Sequence, residues 1–532
     1  MPSTYTFPGM YVEEIPSGVH PIAGVSTSDT AFIDFFAQGP MGRAVRVTGF
    51  DDFLRRFGPL DERSPAGFAV MQFFVNGGQT AWIVRVAGGT PLPSTTTLLG
   101  GSPVADTLTV NAVDEGRWGD SLEVAVDWET ADPAREFNLV VRRIAQVRGR
   151  RQVVAAEVHR NLTLGVRDPR FAAGVVEGGS SMVRVVDVSG GLRRPAPTGS
   201  GVTQPSVIAD VKSTPASIGF VPLAGGSDGA LPGATELSGG LAALERIEPA
   251  VVNLLCIPTA ATLDGSSIAA TPQLAAVAAS VADFCERHRA FFILDVPSAV
   301  DTPEEMAAWL AANSIRNRNA AVYFPRVEIL DPLRDGQQRN IGASGTVAGL
   351  YARTDAERGI WKAPAGTASQ LRGVTLAGTT LNDADSGLLN PLGINVLRTL
   401  PVYGNVSWGA RTLDGADVQT SEWKYVPVRR TALYLEESLV QGLRWVVFEP
   451  NDESLWGQIR LNVGAFMQSL FRKGAFQGRT PREAYLVKCD SETTTQADID
   501  RGIVNILVGF APLKPAEFVV IQLQQLTRPP EL

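Results

Sequence analysis

The run Glu422-Trp423-Lys424-Tyr425-Val426-Pro427-Val428-Arg429-Arg430 opens the part of the chain around which the rest is organised. Thr431 to Gln441 follows with helical periodicity and stops at Gly442, a residue that tolerates the left-handed backbone of a helix end. Leu443 to Phe448 (LRWVVF) is a continuous apolar run of strand length, closed by Glu449-Pro450. Asn451 then offers a side-chain oxygen to the free amides of a new first turn, where Asp452 and Glu453 complement the helix dipole. In that second helix Leu455, Ile459, Val463, Phe466 and Leu470 recur at three- and four-residue spacing, so one face is core. Arg472 and Lys473 precede the stop at Gly474; they read first as capping cations, with a binding role as the alternative.

Two strands are expected next, Ala484 to Lys488 and Ile503 to Phe510. Beyond Pro512 and Pro515, Glu517 to Leu526 places Val519, Ile521 and Leu523 on one side and Gln522 and Gln524 on the other, the period of a half-buried strand. No later segment of the chain pairs with it. At the other end Tyr11, Val12, Glu13, Glu14 and Ile15 form a strand-like run fenced by Pro8, Gly9, Pro16, Gly18 and Pro21, again without a nearby hairpin partner. A strand pairs its backbone somewhere, so sheet edges of neighbouring molecules are the expected hosts of both segments.

Several runs in this order carry a resemblance: Pro8-Gly9-Met10-Tyr11-Val12-Glu13-Glu14, Asn390-Pro391-Leu392-Gly393-Ile394-Asn395-Val396-Leu397-Arg398, and Val406-Ser407-Trp408-Gly409-Ala410-Arg411-Thr412-Leu413. Trp423 to Arg430, Phe448-Glu449-Pro450-Asn451 with Leu455-Trp456, and Gly474-Ala475-Phe476-Gln477-Gly478 before Pro481-Arg482-Glu483-Ala484 continue it. The chain resembles the contractile tail sheath proteins of phages and phage-tail-like particles. The resemblance implies a subtilisin-like α/β core with a largely parallel sheet, an inserted mostly-β domain, and a C-terminal α+β domain with extended terminal arms. It implies a subunit that polymerises helically, with six-fold symmetry, around an inner tube. Its other partners would be baseplate and terminal cap proteins, and assembly would take place in the cytoplasm of a bacterial host.

Composition fits a folded multidomain protein: 532 residues, 44% hydrophobic and 19% charged. A net charge of −8 argues against nucleic acid as partner. The most apolar stretches are interrupted before membrane-spanning length, the first residues lack a secretory signal pattern, and Cys256, Cys285 and Cys489 lack metal-ligand spacing, reading instead as reduced core residues. A locally basic run, Arg142-Arg143 with Arg148, Arg150 and Arg151, reads as a solvated hairpin.

Taken in order, residues 1–20 form an arm, and residues 21–95 and 223–421 alternate strands and helices as a parallel sheet requires. Residues 96–222 carry successive strands, at Leu108 to Ala112, Leu122 to Trp128, Phe137 to Ile144, Gln152 to Val158 and Met182 to Val188. Residues 422–514 make the C-terminal domain and 515–532 a second arm. Thr302-Pro303-Glu304-Glu305 is a helix start with a capping box, and Leu274, Val277, Val281 and Phe284 give the preceding helix its buried stripe.

A site for chemistry would lie at strand C-termini, which singles out Asp295; a helix or loop cap is the competing role. His20, His159 and His288 sit near no nucleophile elbow, no Gly-Lys dipeptide supplies a nucleotide loop, and Asp383-Ala384-Asp385-Ser386 lacks the later ligands of a calcium loop and reads as solvated. No catalytic residue, cofactor or metal is therefore expected. An α/β hydrolase or transferase, or a carbohydrate-binding surface protein, are the alternatives to a structural subunit.

Overall fold

A computed structural model describes residues 20–100, 103–191, 193–198, 219–378, 380–520 and 522. The described chain divides into two compact units, one built from Ser28–Thr354 and Pro364–Lys424, the other from residues 20–27, Asp355–Ala363 and 425 onward.

The larger unit is centred on a sheet whose strands follow one another as β1 (Thr30–Asp34), β2 (Ala44–Val47), β3 (Ala81–Arg85), β4 (Leu254–Cys256), β5 (Phe291–Leu294), β6 (Ala320–Phe324), β7 (Asn395–Leu400) and β8 (Gly404–Ser407). Their spatial order is β8-β7-β6-β5-β4-β1-β3-β2. The pairs from β3 through β7 are parallel, and only the edge strands β2 and β8 run antiparallel to their neighbours. Every residue of β1, β4, β5 and β6 is buried, as parallel strands covered on both faces require. Helix α1 (Pro272–His288) buries Leu274, Val277, Val281 and Phe284 in this core. The helix Pro303–Asn313 starts at the predicted capping box, the Thr302 hydroxyl accepting from the Glu305 amide at 3.2 Å.

The β-rich segment forms two further sheets. One orders Val221–Pro222, Leu122–Asp127, Phe137–Val147 and Arg150–Leu162; the other orders Thr95–Gly100, Ala105–Ala112 and Val183–Asp187. Leu108, Val110, Leu122, Val124, Phe137 and Leu139 share one core between them.

Several expectations are corrected. Arg142 is not solvated: it is 1% exposed, donates to Glu123 at 2.7 Å and lies over the Phe220 ring. It shares with Val140 the face of its strand turned away from the common core, where Phe220 covers it, while the true turn is at Arg148-Gly149, both with left-handed backbone. Asp383 to Ser386 is the first turn of a helix, Asp383–Leu389, whose amides the Asn382 side chain caps. The expected strand Leu443 to Phe448 is instead a short 3-10 turn, Arg444–Val446. A short apolar run has no period to tell a strand from a turn packed on a core, and here Trp445 and Val446 pack against the cluster that includes Leu455, Ile459 and Val463. The helix placed at Thr431 begins earlier, at Val426, because Pro427 occupies its first turn, where the missing amide is harmless. The run from Ile503 is a strand only over Leu507–Phe510.

Candidate functional site: an open two-stranded sheet

The second unit is built on two long helices, α3 (Val426–Gly442) and α4 (Glu453–Arg472). Helix α4 turns Leu455, Ile459, Val463, Phe466, Met467 and Leu470 inward. Its cap is Asp452, whose carboxylate accepts from the Leu455 amide at 2.9 Å. Asn451, the expected cap, serves otherwise: its side chain accepts from the Trp456 indole at 2.9 Å and donates to the Ile503 carbonyl at 3.0 Å, tying the helix start to the loop before the last strand.

Against this helix lie β9 (Tyr485–Lys488) and β10 (Leu507–Phe510), antiparallel, with Tyr485 opposite Phe510 and Val487 opposite Val508. These four side chains pack on the core, and the Tyr485 hydroxyl donates to Gln468 of α4 at 2.8 Å. Burial pushes the Tyr485 phenol above its usual range, partly offset by Arg472. Leu486 and Leu507 are on the other side of the pleat and are about half exposed, at 53% and 52%. Among the described residues no third strand joins either edge, so two rows of backbone groups remain open, beside an outer face carrying Leu486, Leu507 and the ion-paired Lys488. That is the geometry of a sheet ready for strand addition.

The chain leaves β10 beside this sheet. Gln477 donates to the Ala511 carbonyl at 2.9 Å, and the Tyr425 hydroxyl donates to the Glu517 carboxylate at 3.3 Å. From there Phe518, Val519 and Val520 are mostly exposed, Val519 at 81%, and form no strand with any of the described residues. The expected half-buried strand from Glu517 lies partly beyond the described residues, and its described start, Glu517 to Val520, is not paired into this sheet. Ile521 and Leu523, and the whole of Tyr11, Val12, Glu13, Glu14 and Ile15, lie outside the described residues. Arg472 and Lys473 are exposed at the end of α4, without an ion-pair partner among the described residues.

Sequence reasoning missed what locks the unit together. Arg430, in the second turn of α3, donates to both oxygens of Asp355 at 3.0 and 2.6 Å and to the Thr27 carbonyl at 2.9 Å, with both side chains almost fully buried. Burial raises the Asp355 carboxyl above its usual range against the pull of Arg430. An arginine pair inside an otherwise apolar helical stretch was the available signal.

The catalytic suspect is otherwise engaged. Asp295 accepts from the Ser344 amide at 2.8 Å and from its hydroxyl at 2.5 Å, capping α2 (Ser344–Arg358), as the competing reading expects. Burial raises its carboxyl too. His159 faces Glu157, His288 stacks on Phe284, and His20 stacks on Trp445. All three cysteines are free and buried. No described helix is long and apolar enough to cross a membrane.

With this geometry in hand, comparison with known proteins supplies the family. Residues 233–413 match the phage tail sheath protein central domain, and residues 418–525 match the phage tail sheath C-terminal domain. The chain belongs to the phage tail sheath protein family. It is 27% identical over 248 residues to a prophage major tail sheath protein of Pseudomonas aeruginosa, and 26% identical over 186 residues to the tail sheath protein of Vibrio phage KVP40. These alignments take in 46% and 35% of this chain but only 59% and 26% of the relatives' lengths. In fold it is similar to the contracted sheath of the extracellular contractile injection system PVC (TM-score 0.56, 20% identity, 99% of each chain). A sheath tail protein of Listeria innocua is also similar (TM-score 0.58, 14% identity, 93% of this chain and 96% of that one).

Proposed function

We propose that the chain is a structural sheath subunit that polymerises helically, with six-fold symmetry, around an inner tube and shortens to drive that tube through a target envelope. The observation that carries this reading is the two-stranded sheet open at both edges among the described residues, beside an apolar tail whose described residues Phe518, Val519 and Val520 are exposed. Residues 11–15 of one neighbour and 519–523 of another complete that sheet. In this reading residues 21–95 and 223–421 are a subtilisin-like core, 96–222 its inserted domain, 422–514 the assembly domain, and 1–20 and 515–532 the arms. Baseplate and cap proteins close the two ends, and the particle is assembled in the cytoplasm of a bacterial host. The subunit performs no catalysis, binds no cofactor or nucleic acid and inserts into no membrane.

With no nucleotide loop in the sequence, contraction runs from a metastable extended lattice to one with more buried interface. About 100 Å² more apolar burial per subunit supplies roughly 2.5 kcal/mol, and the subunits of a whole sheath add. Prolines and glycines flanking the arms, Pro8-Gly9, Pro16, Gly18, Pro512 and Pro515, confine rotation to short linkers. Protein expressed alone is expected to assemble directly into short, wide rods, identical with and without ATP by electron microscopy. A requirement for nucleotide, or a refolded core between extended and contracted states, would overturn this mechanism.

Arg472 and Lys473 face the tube in this reading. Exposed ion pairs are worth only about 0 to 1 kcal/mol each, weak enough to release as the tube slides. Reversing both charges should lower the tube content of co-assembled rods while leaving tube-free polymerisation intact; unchanged tube content would remove these residues from the interface.

A further inference from the structure

Phe448 is 102% exposed and holds a left-handed backbone, φ 72°. A bulky residue there is a conformational outlier that glycine would relieve, and such strain persists where a surface has a use for it. Among the described residues nothing covers the side chain, and Val447 beside it is 64% exposed. Neither backbone preference nor internal packing accounts for a phenylalanine at this position.

The larger unit carries a recess that fits it. A cavity of about 230 Å³ opens between α1 and the segment after the helix Pro303–Asn313, lined by Ala275, Ala278, Ala282, Phe292, Arg316 and Ala320 among others. It is smaller than the roughly 300–1,000 Å³ of small-molecule sites and has room for one large side chain. The alanines and Phe292 give a phenyl ring an apolar wall, and Asn313, Ser314, Asn317 and Asn319 form the polar side of the recess. At its margin the Arg316 guanidinium donates to the carbonyls of Leu392 at 2.7 Å and Leu413 at 3.3 Å, with Asp414 the acidic group acting on it within the chain. Glu449, next to the knob, carries the charge complementary to that cation, while Asp452 is taken up in the helix cap and Glu453 by Arg460 at 2.6 Å.

We infer that Phe448 of one subunit inserts into the alanine-lined cavity of a second copy, with Glu449 approaching Arg316. Knob and recess are different surfaces, so the contact is head-to-tail and propagates into a ring or an open helix instead of closing as a dimer. Seating an aromatic ring of this size removes about 150–250 Å² from water, the kind of anchor that dominates interfaces. The inference rests on the sheath reading and adds to it a contact that involves neither arm.

The test compares rod formation by the full chain with that of Phe448→Gly and Ala282→Trp, the first removing the knob and relieving its strain, the second filling the recess. Both should raise the concentration needed for rods by on the order of tenfold or more. Phe448→Gly should melt no lower than the wild-type chain, which separates lost contact from lost fold; if Ala282→Trp melts lower, Phe448→Gly decides alone. Wild-type rods together with Phe448→Gly rods at the same concentration would overturn the knob contact and leave the sheath reading standing. Absence of rods from the wild-type chain would overturn the sheath reading and this inference with it.

Discussion

Deleting residues 516–532, or residues 1–18, is expected to convert an assembling protein into a folded, soluble monomer. Folding survives because the core of the C-terminal unit is made by α3, α4, β9 and β10, all of which either truncation leaves intact. Assembly is lost because the open edges of β9 and β10 are then without the strands that complete them. About ten backbone hydrogen bonds at roughly 0.5 to 1.5 kcal/mol net each, with the half-exposed Leu486 and Leu507 covered as well, are enough to hold neighbours together. Sedimentation and circular dichroism check the two halves of this expectation. Rods formed by either truncated chain would refute it.

The second large effect is on stability. Arg430→Ala leaves Asp355 buried without its partner, and breaking a buried pair by removing one member destabilises by about 3–5 kcal/mol. The Thr27 carbonyl loses a donor at the same time. Replacing both partners with apolar residues, Arg430→Met with Asp355→Leu, should recover most of the loss, since no buried charge is left. The pH dependence of the single variant has a definite sign. Burial already raises the Asp355 carboxyl, and removing Arg430 removes the group that opposes that shift. The folded variant then binds a proton more readily than the unfolded chain, so its stability rises as pH falls from neutral toward the unfolded-state carboxyl range. Denaturant unfolding at neutral and mildly acidic pH reads both effects; a variant as stable as the wild-type chain would show that the pair is not what ties Thr27 and Asp355 to α3.

The parallel sheet was legible because fully buried strands read as unbroken apolar runs and because Thr302 to Glu305 and the α1 stripe mark their helices without ambiguity. Helix α4 was legible for the same reason, its apolar positions repeating over five turns. What escaped were features fixed by tertiary contact. Leu443 to Phe448 has the composition of a strand, yet no described segment pairs with it. Arg142 carries the charge of a surface residue, yet Glu123 and Phe220 meet it inside the domain. The Arg430–Asp355 pair joins residues 75 apart, and nothing local to either announces the other. The arms are the opposite case: their pattern is visible in sequence because it is periodic, while most of their residues lie outside the described structure.

Electron cryo-microscopy of rods formed by the full chain tests the central claim most directly. The account predicts a four-stranded sheet in each C-terminal unit, with β9 and β10 flanked by residues 11–15 of one neighbour and 519–523 of another. Rods in which β9 and β10 remain a bare pair, or a protein that stays monomeric at every concentration, would contradict it.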